Sequence, residues 1–287
     1  MLSKKRFSIN RITCPAFSLK DFFSFTAGLG LSKVELRNDL PGKPKVEDII
    51  DGLKPAEVSA MAKDMGIEII SINALQKFNL PSMRKDCLDE LNRMLDLSAK
   101  INCKAIVLCP NNDSKDKRTP GENYTDTVNA LREYGPLFAK YGIAGYVEAL
   151  GFGISSTASL PAAMNAIRES GYACYKTVYD TFHHFIGPDT ASMFGMDGLG
   201  ASYETAYTGL VHISGVEAAI EPSKMKDDHR VLIGPKDRMD NKGQVKTLAS
   251  LGYLGDFSFE PFAKEVQKLK PEQLAEQLKA SMKYLGA

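Results

Sequence analysis

Four acidic or histidine residues stand at the ends of apolar, strand-like runs in the second half of the chain. They are Glu148, Asp180, His212 and Glu260, which follow one another at intervals of roughly one strand-plus-helix unit. Three carboxylates brought together cannot all stay ionised without a counter-charge, and one imidazole is not enough. A mixed shell of oxygen and nitrogen ligands suits Mn²⁺, Mg²⁺, Co²⁺ or Zn²⁺. We therefore predict that these four side chains bind one divalent metal ion.

The elements that must bring these residues together are short β-rich runs, which alternate with amphipathic helical patterns along the whole chain. The predicted strands are Arg6–Asn10, Lys33–Arg37, Ile67–Asn73, Ala105–Cys109, Ile143–Glu148, Lys176–Asp180, Leu210–Ser214 and Phe257–Glu260. No linker, repeat or low-complexity stretch interrupts this series. The pattern predicts an α/β fold with a single (β/α)8 TIM barrel that spans residues 1–287. In such a barrel the active site lies at the C-terminal ends of the strands, where all four residues would converge.

The helical patterns have recognisable ends. Apolar residues at spacings of three and four predict helices over Ser82–Ile101 and Asn123–Tyr141, and another helix begins at Ser159. Gly142 and Gly171 stand where helices commonly end in a left-handed conformation. The last helices are predicted over 244–251 and 271–285.

The sixth strand-helix unit is irregular. Residues 187–209 are rich in Gly, Met and Ser and show only a short helical hint near Tyr203. We interpret this segment as a long loop over one end of the barrel, with the role of a lid as a hypothesis.

Composition limits the classes of partner. The chain has 287 residues, 44% hydrophobic and 25% charged, with a net charge of +1. This near-neutral balance argues against a nucleic-acid partner. The five cysteines are scattered and form no CxxC pair, which is typical of reduced thiols. No apolar run approaches the roughly 18 residues that span a bilayer. We therefore expect a cytoplasmic protein without a membrane partner.

The order of the candidate ligands also resembles a known family. Glu, then Asp-x-x-His, then His, then Glu at the ends of strands five to eight is similar to the xylose-isomerase-like TIM-barrel superfamily of sugar isomerases and epimerases, over nearly the whole chain. Within it the sequence is most similar to the inosose isomerases (2-keto-myo-inositol isomerases) of inositol catabolism. The matching stretches are Val34-Glu35-Leu36-Arg37, Asn73-Ala74-Leu75 with Phe78-Asn79, Asp180-Thr181-Phe182-His183, Asp227-Asp228-His229-Arg230-Val231 and Phe259-Glu260-Pro261-Phe262.

The resemblance implies roles for individual residues. Glu148, Asp180, His212 and Glu260 would hold the metal, and His183 and Arg230 would face the substrate. We expect the neighbouring His184 either to support the site from behind its lining residues or to be buried, without contacting the substrate. Relatives of this kind are often homo-oligomers, so the resemblance also implies a homo-oligomer here.

The implied chemistry is the movement of a carbonyl group to a neighbouring carbon. The metal would stabilise the enediolate that forms, and Glu148 and Glu260 are the candidate catalytic residues that transfer the proton. Polar residues that end or line strands one to three are weaker candidates for binding substrate hydroxyls: Asn10, Glu35, Arg37 and Asn73.

The leading hypothesis is thus a metal-dependent isomerase of a cyclic keto-polyol such as an inosose, with a small polyol or sugar as its partner. A ketose 3-epimerase, a hydroxypyruvate-type isomerase and a 3-dehydroshikimate dehydratase share the metal pattern and stay open. A non-catalytic sugar-binding protein and an abasic-site endonuclease are the alternatives from other classes. The family usually shows a Gly-x-Gly turn after Arg230, whereas this chain reads Gly234-Pro235-Lys236, which leaves the exact substrate open.

Overall fold

Eight parallel strands pair in sequence order and close into a barrel, with the first strand against the last. The computed structural model describes residues 2–42, 45–189, 193–195 and 201–287. The strands are β1 (Phe7–Asn10), β2 (Lys33–Arg37), β3 (Glu68–Leu75), β4 (Ala105–Leu108), β5 (Ala144–Glu148), β6 (Tyr175–Asp180), β7 (Thr208–Ile213) and β8 (Asp256–Phe259). The predicted (β/α)8 barrel is confirmed, and each strand begins and ends within two residues of its predicted bounds.

Helices connect the strands on the outside of the barrel. Among the described residues they are α1 (Leu19–Gly28), α2 (Pro55–Asp64), α3 (Arg84–Lys100), α4 (Pro120–Tyr141), α5 (Leu160–Ser170), α6 (Thr181–Ile186), α7 (Asn241–Ser250), α8 (Lys264–Gln267) and α9 (Pro271–Leu285). In the described part of the chain, these helices are all too short or too polar to cross a membrane.

The ends of α4 and α5 follow from local sequence. Thr119 and Glu122 form a reciprocal capping box at the start of α4, and α5 begins after the Ser159 cap. Gly142 and Gly171 close the two helices with φ values of 65° and 79°, which glycine adopts without a steric penalty. The predicted stop positions are confirmed.

The apolar core has an inner and an outer part. Inward-facing residues of the strands fill the barrel interior, among them Ile70, Val107, Val178 and Leu210, with Tyr146 packed against them. The outer part lies between the strands and the helices. The interior is therefore packed below the strand ends, and the C-terminal end of the barrel is where a site is expected.

The irregular segment 187–209 lies only partly within the described residues, and the lid hypothesis falls largely on residues outside them. In its described part, the hydroxyl of Tyr203 lies 2.6 Å from Thr177 Oγ1 and 2.7 Å from Thr208 Oγ1. Tyr203 is buried and its ring contacts Phe194. This part of the segment is thus anchored against β6 and the start of β7.

Strand register sets the height along the barrel axis at which the polar residues lie. Asp180 pairs with His212 across β6 and β7, and Ile213 pairs with Phe259, which places Glu260 immediately beyond β8. On the opposite wall, the register between β2 and β3 shifts between Val34 and Glu35. A bulge of this kind re-aims the side chains that follow it, and here Glu35 stands opposite Ser71.

Candidate active site

Four buried ligand-type side chains meet at the C-terminal ends of β5 to β8. One ligand atom from each of Glu148, Asp180, His212 and Glu260 lies within 4.8 Å of the others. The structure thus brings together all four residues that the strand-end pattern singled out.

The His212 ring is the centre of this cluster. Its Nδ1 atom lies 2.8 Å from Glu148 Oε1, 3.3 Å from Glu260 Oε2 and 3.9 Å from Asp180 Oδ2. Burial acts to lower the pKa of His212, but the charges of Glu260, Glu35 and Glu148 raise it well above its ordinary value. The acids around Nδ1 therefore favour a positive charge at this place in the cluster.

Two buried arginines hold the carboxylates from the other sides. Arg230 Nη2 donates to Asp180 Oδ2 at 2.7 Å and to Glu260 Oε2 at 2.8 Å, and Arg37 Nη1 donates to Glu260 Oε1 at 2.6 Å. Burial acts to raise the pKa of Glu260, but His212, Arg230 and Arg37 lower it to about 2. At Asp180 the effect of burial outweighs that of Arg230, and the pKa of this residue is raised. Glu260 is therefore held firmly as a carboxylate.

Glu35 completes the cluster from beneath. Its side chain is fully buried, and its carboxylate lies 3.1 Å from His212 Nε2, on the side of the ring away from the other acids. Ser71 Oγ donates to Glu35 Oε2 at 2.6 Å, and Asn10 Nδ2 donates to Glu35 Oε1. The sequence placed Glu35 only among weak candidates, because its contact with a histidine five strands away depends on the closed barrel.

A cavity of about 300 Å³ opens above the cluster. Glu148 and Glu260 lie in its wall together with Asn73, His183 and Arg230. This volume suits a small molecule of about the size of a monosaccharide. The predicted substrate-binding residues His183, Arg230 and Asn73 thus face this cavity.

Two of these wall residues carry buried polar atoms that have no hydrogen-bond partner among the described residues, Asn73 Oδ1 and His183 Nδ1. The amide nitrogen of Asn73 is already engaged, since it donates to Glu260 Oε1 at 3.1 Å. Burial and the nearby Arg230 lower the pKa of His183 to about 4, so the ring is neutral at pH 7. A neutral imidazole can both donate and accept a hydrogen bond.

Asn10, another predicted substrate-binding residue, lies elsewhere. It is fully buried and is not one of the cavity-lining residues. Its amide nitrogen donates to Glu35 and, at 3.2 Å, to Glu260 Oε1, while its Oδ1 accepts from Ile12 N at 3.0 Å. The described contacts therefore place Asn10 among the groups that hold the acids rather than in the cavity wall.

His184 packs against aromatic side chains beside the site. Its ring centroid lies 5.1 Å from that of Tyr179 and 6.4 Å from that of Phe194. It is half-buried and does not line the cavity.

Sequence analysis missed Cys109 as a residue of the site. It follows β4, lines the cavity, and its thiol donates to Glu148 Oε2 at 3.3 Å. Burial, together with the charge of Glu148, raises the pKa of Cys109 well above its ordinary value, so the sulfur keeps its proton. Its position at the end of a strand was the only available signal.

The donor set fits a divalent cation. Ligands about 2.1 Å from one ion stand up to roughly 4.2 Å apart, so the four atoms need to contract only slightly. Four buried carboxylates, those of Glu35, Glu148, Asp180 and Glu260, face the two buried arginines Arg37 and Arg230. With His212 neutral, these buried groups carry two excess negative charges, and the partly exposed Asp39 and Asp227, which pair with the same arginines, add to the negative side. This buried cluster could therefore hold a metal.

Comparison with known proteins agrees with this description. Residues 23–285 match the family model described as "Xylose isomerase-like TIM barrel". A comparison with proteins of curated function gave no significant match. Fold and site together define a TIM-barrel protein with a candidate metal centre at the C-terminal ends of its strands. The chain belongs to the xylose isomerase-like TIM barrel family, which confirms the resemblance seen in its sequence.

Solved structures include relatives over the full length of the chain. A xylose isomerase domain containing protein from Salmonella typhimurium LT2 is 34% identical with a TM-score of 0.90, covering 99% of this chain and 98% of its own. The IolI protein, solved with a zinc atom, is 18% identical with a TM-score of 0.87, covering 98% and 97%. D-Psicose 3-epimerase from Clostridium cellulolyticum H10, solved with D-tagatose, is 15% identical with a TM-score of 0.73, covering 98% of both chains. At such low identities, the last two similarities show the fold alone.

Proposed function

We propose that this protein is a divalent-metal-dependent isomerase that moves the carbonyl group of a cyclic keto-polyol, such as an inosose, to the neighbouring carbon. The observation that carries the proposal is the buried cluster of three carboxylates and one imidazole at the floor of a small polar cavity. Membership of the xylose isomerase-like family supports it.

The cavity wall favours a substrate with several hydroxyl groups. Asn73 Oδ1 is a buried acceptor and His183 Nδ1 a buried ring nitrogen, and each lacks a partner within the described chain. Burying such atoms unpaired costs about 1 to 3 kcal/mol each. Both side chains line the cavity, and when they turn toward a bound polyol, a hydroxyl group can donate to Asn73 Oδ1 and another can serve either role at His183 Nδ1.

The charges favour a neutral substrate over a carboxylic acid. Arg37 is engaged by Glu260 and Asp39, and Arg230 by Asp180, Glu260 and Asp227. Neither guanidinium is free to bind a substrate carboxylate in the paired geometry that arginine offers. The remaining cation among the lining residues is the exposed Lys77, a single flexible point charge that offers no paired geometry. This favours a keto-polyol over hydroxypyruvate and 3-dehydroshikimate, both of which are acids.

Glu148 is the base in this proposal. A divalent ion bound by the four ligands would polarise the substrate carbonyl and lower the barrier to removing the proton beside it. Glu148 takes that proton from the carbon next to the carbonyl and returns it to the former carbonyl carbon, while the hydroxyl proton passes to the carbonyl oxygen. Within the described residues, its Oε2 atom accepts a hydrogen bond only from the weak thiol donor of Cys109, which leaves that oxygen able to accept a proton.

Glu260 is poorly suited to the same task. Its Oε1 accepts from Arg37, Asn10 and Asn73, and its Oε2 accepts from Arg230. A carboxylate held by four donors is a weak base, and a proton would have to displace one of them. We therefore assign Glu260 to holding the metal and Glu148 to proton transfer.

A ketose 3-epimerase is the second candidate, because Glu148 and Glu260 both line the cavity and D-psicose 3-epimerase shares the fold. Epimerisation that uses one carboxylate on each face of the substrate needs both as proton carriers. The unequal hydrogen bonding of the two glutamates favours the isomerase.

The proposal includes a small-molecule partner and a cytoplasmic location. The five free cysteines support the location, because thiols stay reduced in the cytosol. The homo-oligomer stays a prediction.

The test is an activity panel on protein that has been stripped with a chelator and then reloaded with Mn²⁺, Co²⁺, Mg²⁺ or Zn²⁺. Inosose, D-tagatose, D-fructose and hydroxypyruvate serve as substrates. We expect metal-dependent turnover of inosose, little or none with hydroxypyruvate, and a loss of roughly a hundred- to ten-thousandfold in kcat for Glu148→Gln.

Each departure from that result has its own meaning. Turnover of ketoses in place of inosose would support the epimerase, and turnover of hydroxypyruvate would contradict the charge argument. Metal and polyol binding by the wild type without any turnover would indicate a non-catalytic sugar-binding protein.

A further inference from the structure

We propose that Glu35 is a positioning residue that orients His212 and leaves its Nδ1 atom as the metal-binding nitrogen. This inference rests on the proposed metal-dependent function and adds a residue to it. Glu35 is not among the cavity-lining residues, so its effect on the reaction passes through His212.

The two nitrogens of the His212 ring face different groups. Nδ1 faces the three other candidate ligands, with Glu148 Oε1 at 2.8 Å, whereas Nε2 faces Glu35 at 3.1 Å. A histidine binds a metal through a nitrogen that carries no proton, and the hydrogen bond made by the other nitrogen selects which one that is. With the Nε2 proton donated to Glu35, the Nδ1 lone pair points into the cluster.

The Glu35 carboxylate is itself fixed from three strands. Ser71 on β3 donates to its Oε2 at 2.6 Å, Asn10 on β1 donates to its Oε1, and His212 approaches from β7. The shift in register between Val34 and Glu35 places it opposite Ser71. Both Glu35 and His212 have no solvent-exposed side-chain surface. A carboxylate held in this way restrains the tilt of the His212 ring and selects its tautomer.

The position also explains a buried charge that would otherwise be costly. A fully buried glutamate without a cation beside it is unfavourable unless its oxygens are hydrogen-bonded. Glu35 accepts hydrogen bonds from Asn10, Ser71 and His212. Asn10 also donates to Glu260, which links Glu35 to the candidate metal ligands a second time. The hydrogen bonds therefore join Glu35 to two of the four candidate ligands.

The experiment measures metal affinity without any substrate. Mn²⁺ is titrated calorimetrically into chelator-stripped wild type, Glu35→Ala, Glu35→Gln and Ser71→Ala. The matched control is Glu90→Gln, because Glu90 is a partly buried glutamate that accepts from Asn38 and lies outside the cluster. Histidine ¹⁵N NMR of the Zn²⁺-loaded forms reports which ring nitrogen of His212 carries the proton.

We expect Glu35→Ala to weaken Mn²⁺ binding roughly 10- to 100-fold, Glu35→Gln and Ser71→Ala to weaken it several-fold, and Glu90→Gln to match the wild type. The wild-type spectrum should show the proton on Nε2. If Glu35→Ala fails to fold, the Glu35→Gln and Ser71→Ala affinities carry the test.

Three outcomes would overturn the inference, and they are distinguishable from one another. If the wild type binds Mn²⁺ and the folded Glu35 and Ser71 variants bind it with the same affinity, the positioning role alone is removed. If the variants show a lower melting temperature without a change in Mn²⁺ affinity, Glu35 is merely structural. Absence of Mn²⁺ binding by the wild type would remove the proposed metal centre and this role together.

Discussion

The Sγ atom of Cys109 lies 3.3 Å from Glu148 Oε2, on the oxygen of that carboxylate that does not face His212. The thiol keeps its proton and donates it, so it restrains the rotation of the residue that we assign as the base. A weak donor at this oxygen holds the carboxylate without taking away its basicity.

This contact predicts different results for two substitutions. Cys109→Ala removes the donor and should lower kcat roughly three- to tenfold, because about 1 kcal/mol of restraint is lost. Cys109→Ser keeps a hydroxyl donor and should retain most of the activity. Steady-state kinetics on the active substrate measures both variants, with Cys174→Ala as the control. Equal kcat values for Cys109→Ala and the wild type would contradict the restraint.

A close backbone contact at Gly151 gives a second prediction. A Cβ atom at Gly151 would lie 2.0 Å from the carbonyl oxygen of His183, whereas one at Gly153 would meet nothing within 4 Å. Gly151→Ala should therefore force the β5–α5 loop away from α6 and cost roughly 1 to 3 kcal/mol of stability. Because Phe152 packs edge-on against the His183 ring at 5.0 Å, the cavity wall should move as well.

Denaturant unfolding and kcat/KM measure the two effects, and Gly153→Ala is the matched control two residues away. The control should change stability by less than about 0.5 kcal/mol. A Gly151→Ala protein that is as stable and as active as the control would show that the loop can accommodate the methyl group.

His183 predicts a dependence of stability on pH. Its pKa is about 4 in the folded protein, against about 6.5 in an unfolded chain. Between these values the unfolded state binds more protons, so the free energy of unfolding falls as the pH is lowered. The contribution of His183 should reach roughly 2 kcal/mol at pH 5 relative to pH 7.

The measurement is urea unfolding of chelator-treated protein at pH 7 and pH 5. The wild type should lose more stability over this interval than His183→Gln does, whereas His229→Gln, whose side chain does not line the cavity, should behave as the wild type. Identical losses in the wild type and His183→Gln would mean that His183 does not titrate in this way.

The contacts of Asn73 predict that its substitution changes substrate binding much more than metal binding. Its Oδ1 atom is buried without a partner among the described residues, and its amide nitrogen donates to Glu260. Asn73→Ala should raise KM about tenfold, since one substrate hydroxyl loses its acceptor. Mn²⁺ affinity should change much less, because Glu260 keeps its bonds to Arg37 and Arg230.

Kinetics and calorimetric Mn²⁺ titration test this prediction side by side. Asn92→Ala on the exposed face of α3 is the control. A loss of metal affinity at unchanged KM would assign Asn73 to holding Glu260 rather than to the substrate.

The sequence alone was sufficient to predict the barrel and to single out the candidate metal ligands. Each β-rich run and each helix carries its own local pattern, and Gly142 and Gly171 mark helix ends by a conformation that depends on single residues. Strand ends in a parallel barrel share one edge, so residues that follow strands five to eight had to converge whatever their distances along the chain.

The tertiary structure decided which groups hold those ligands and which remain free for a substrate. The bulge before Glu35 brings it beneath His212, closure of β1 against β8 turns Asn10 toward Glu35 and Glu260, and Cys109 reaches Glu148 from the neighbouring strand. None of these contacts follows from spacing, because each depends on the register and tilt of strands that lie far apart in sequence. Local pattern determines where a side chain enters the barrel, but only the closed barrel fixes which atoms it meets there.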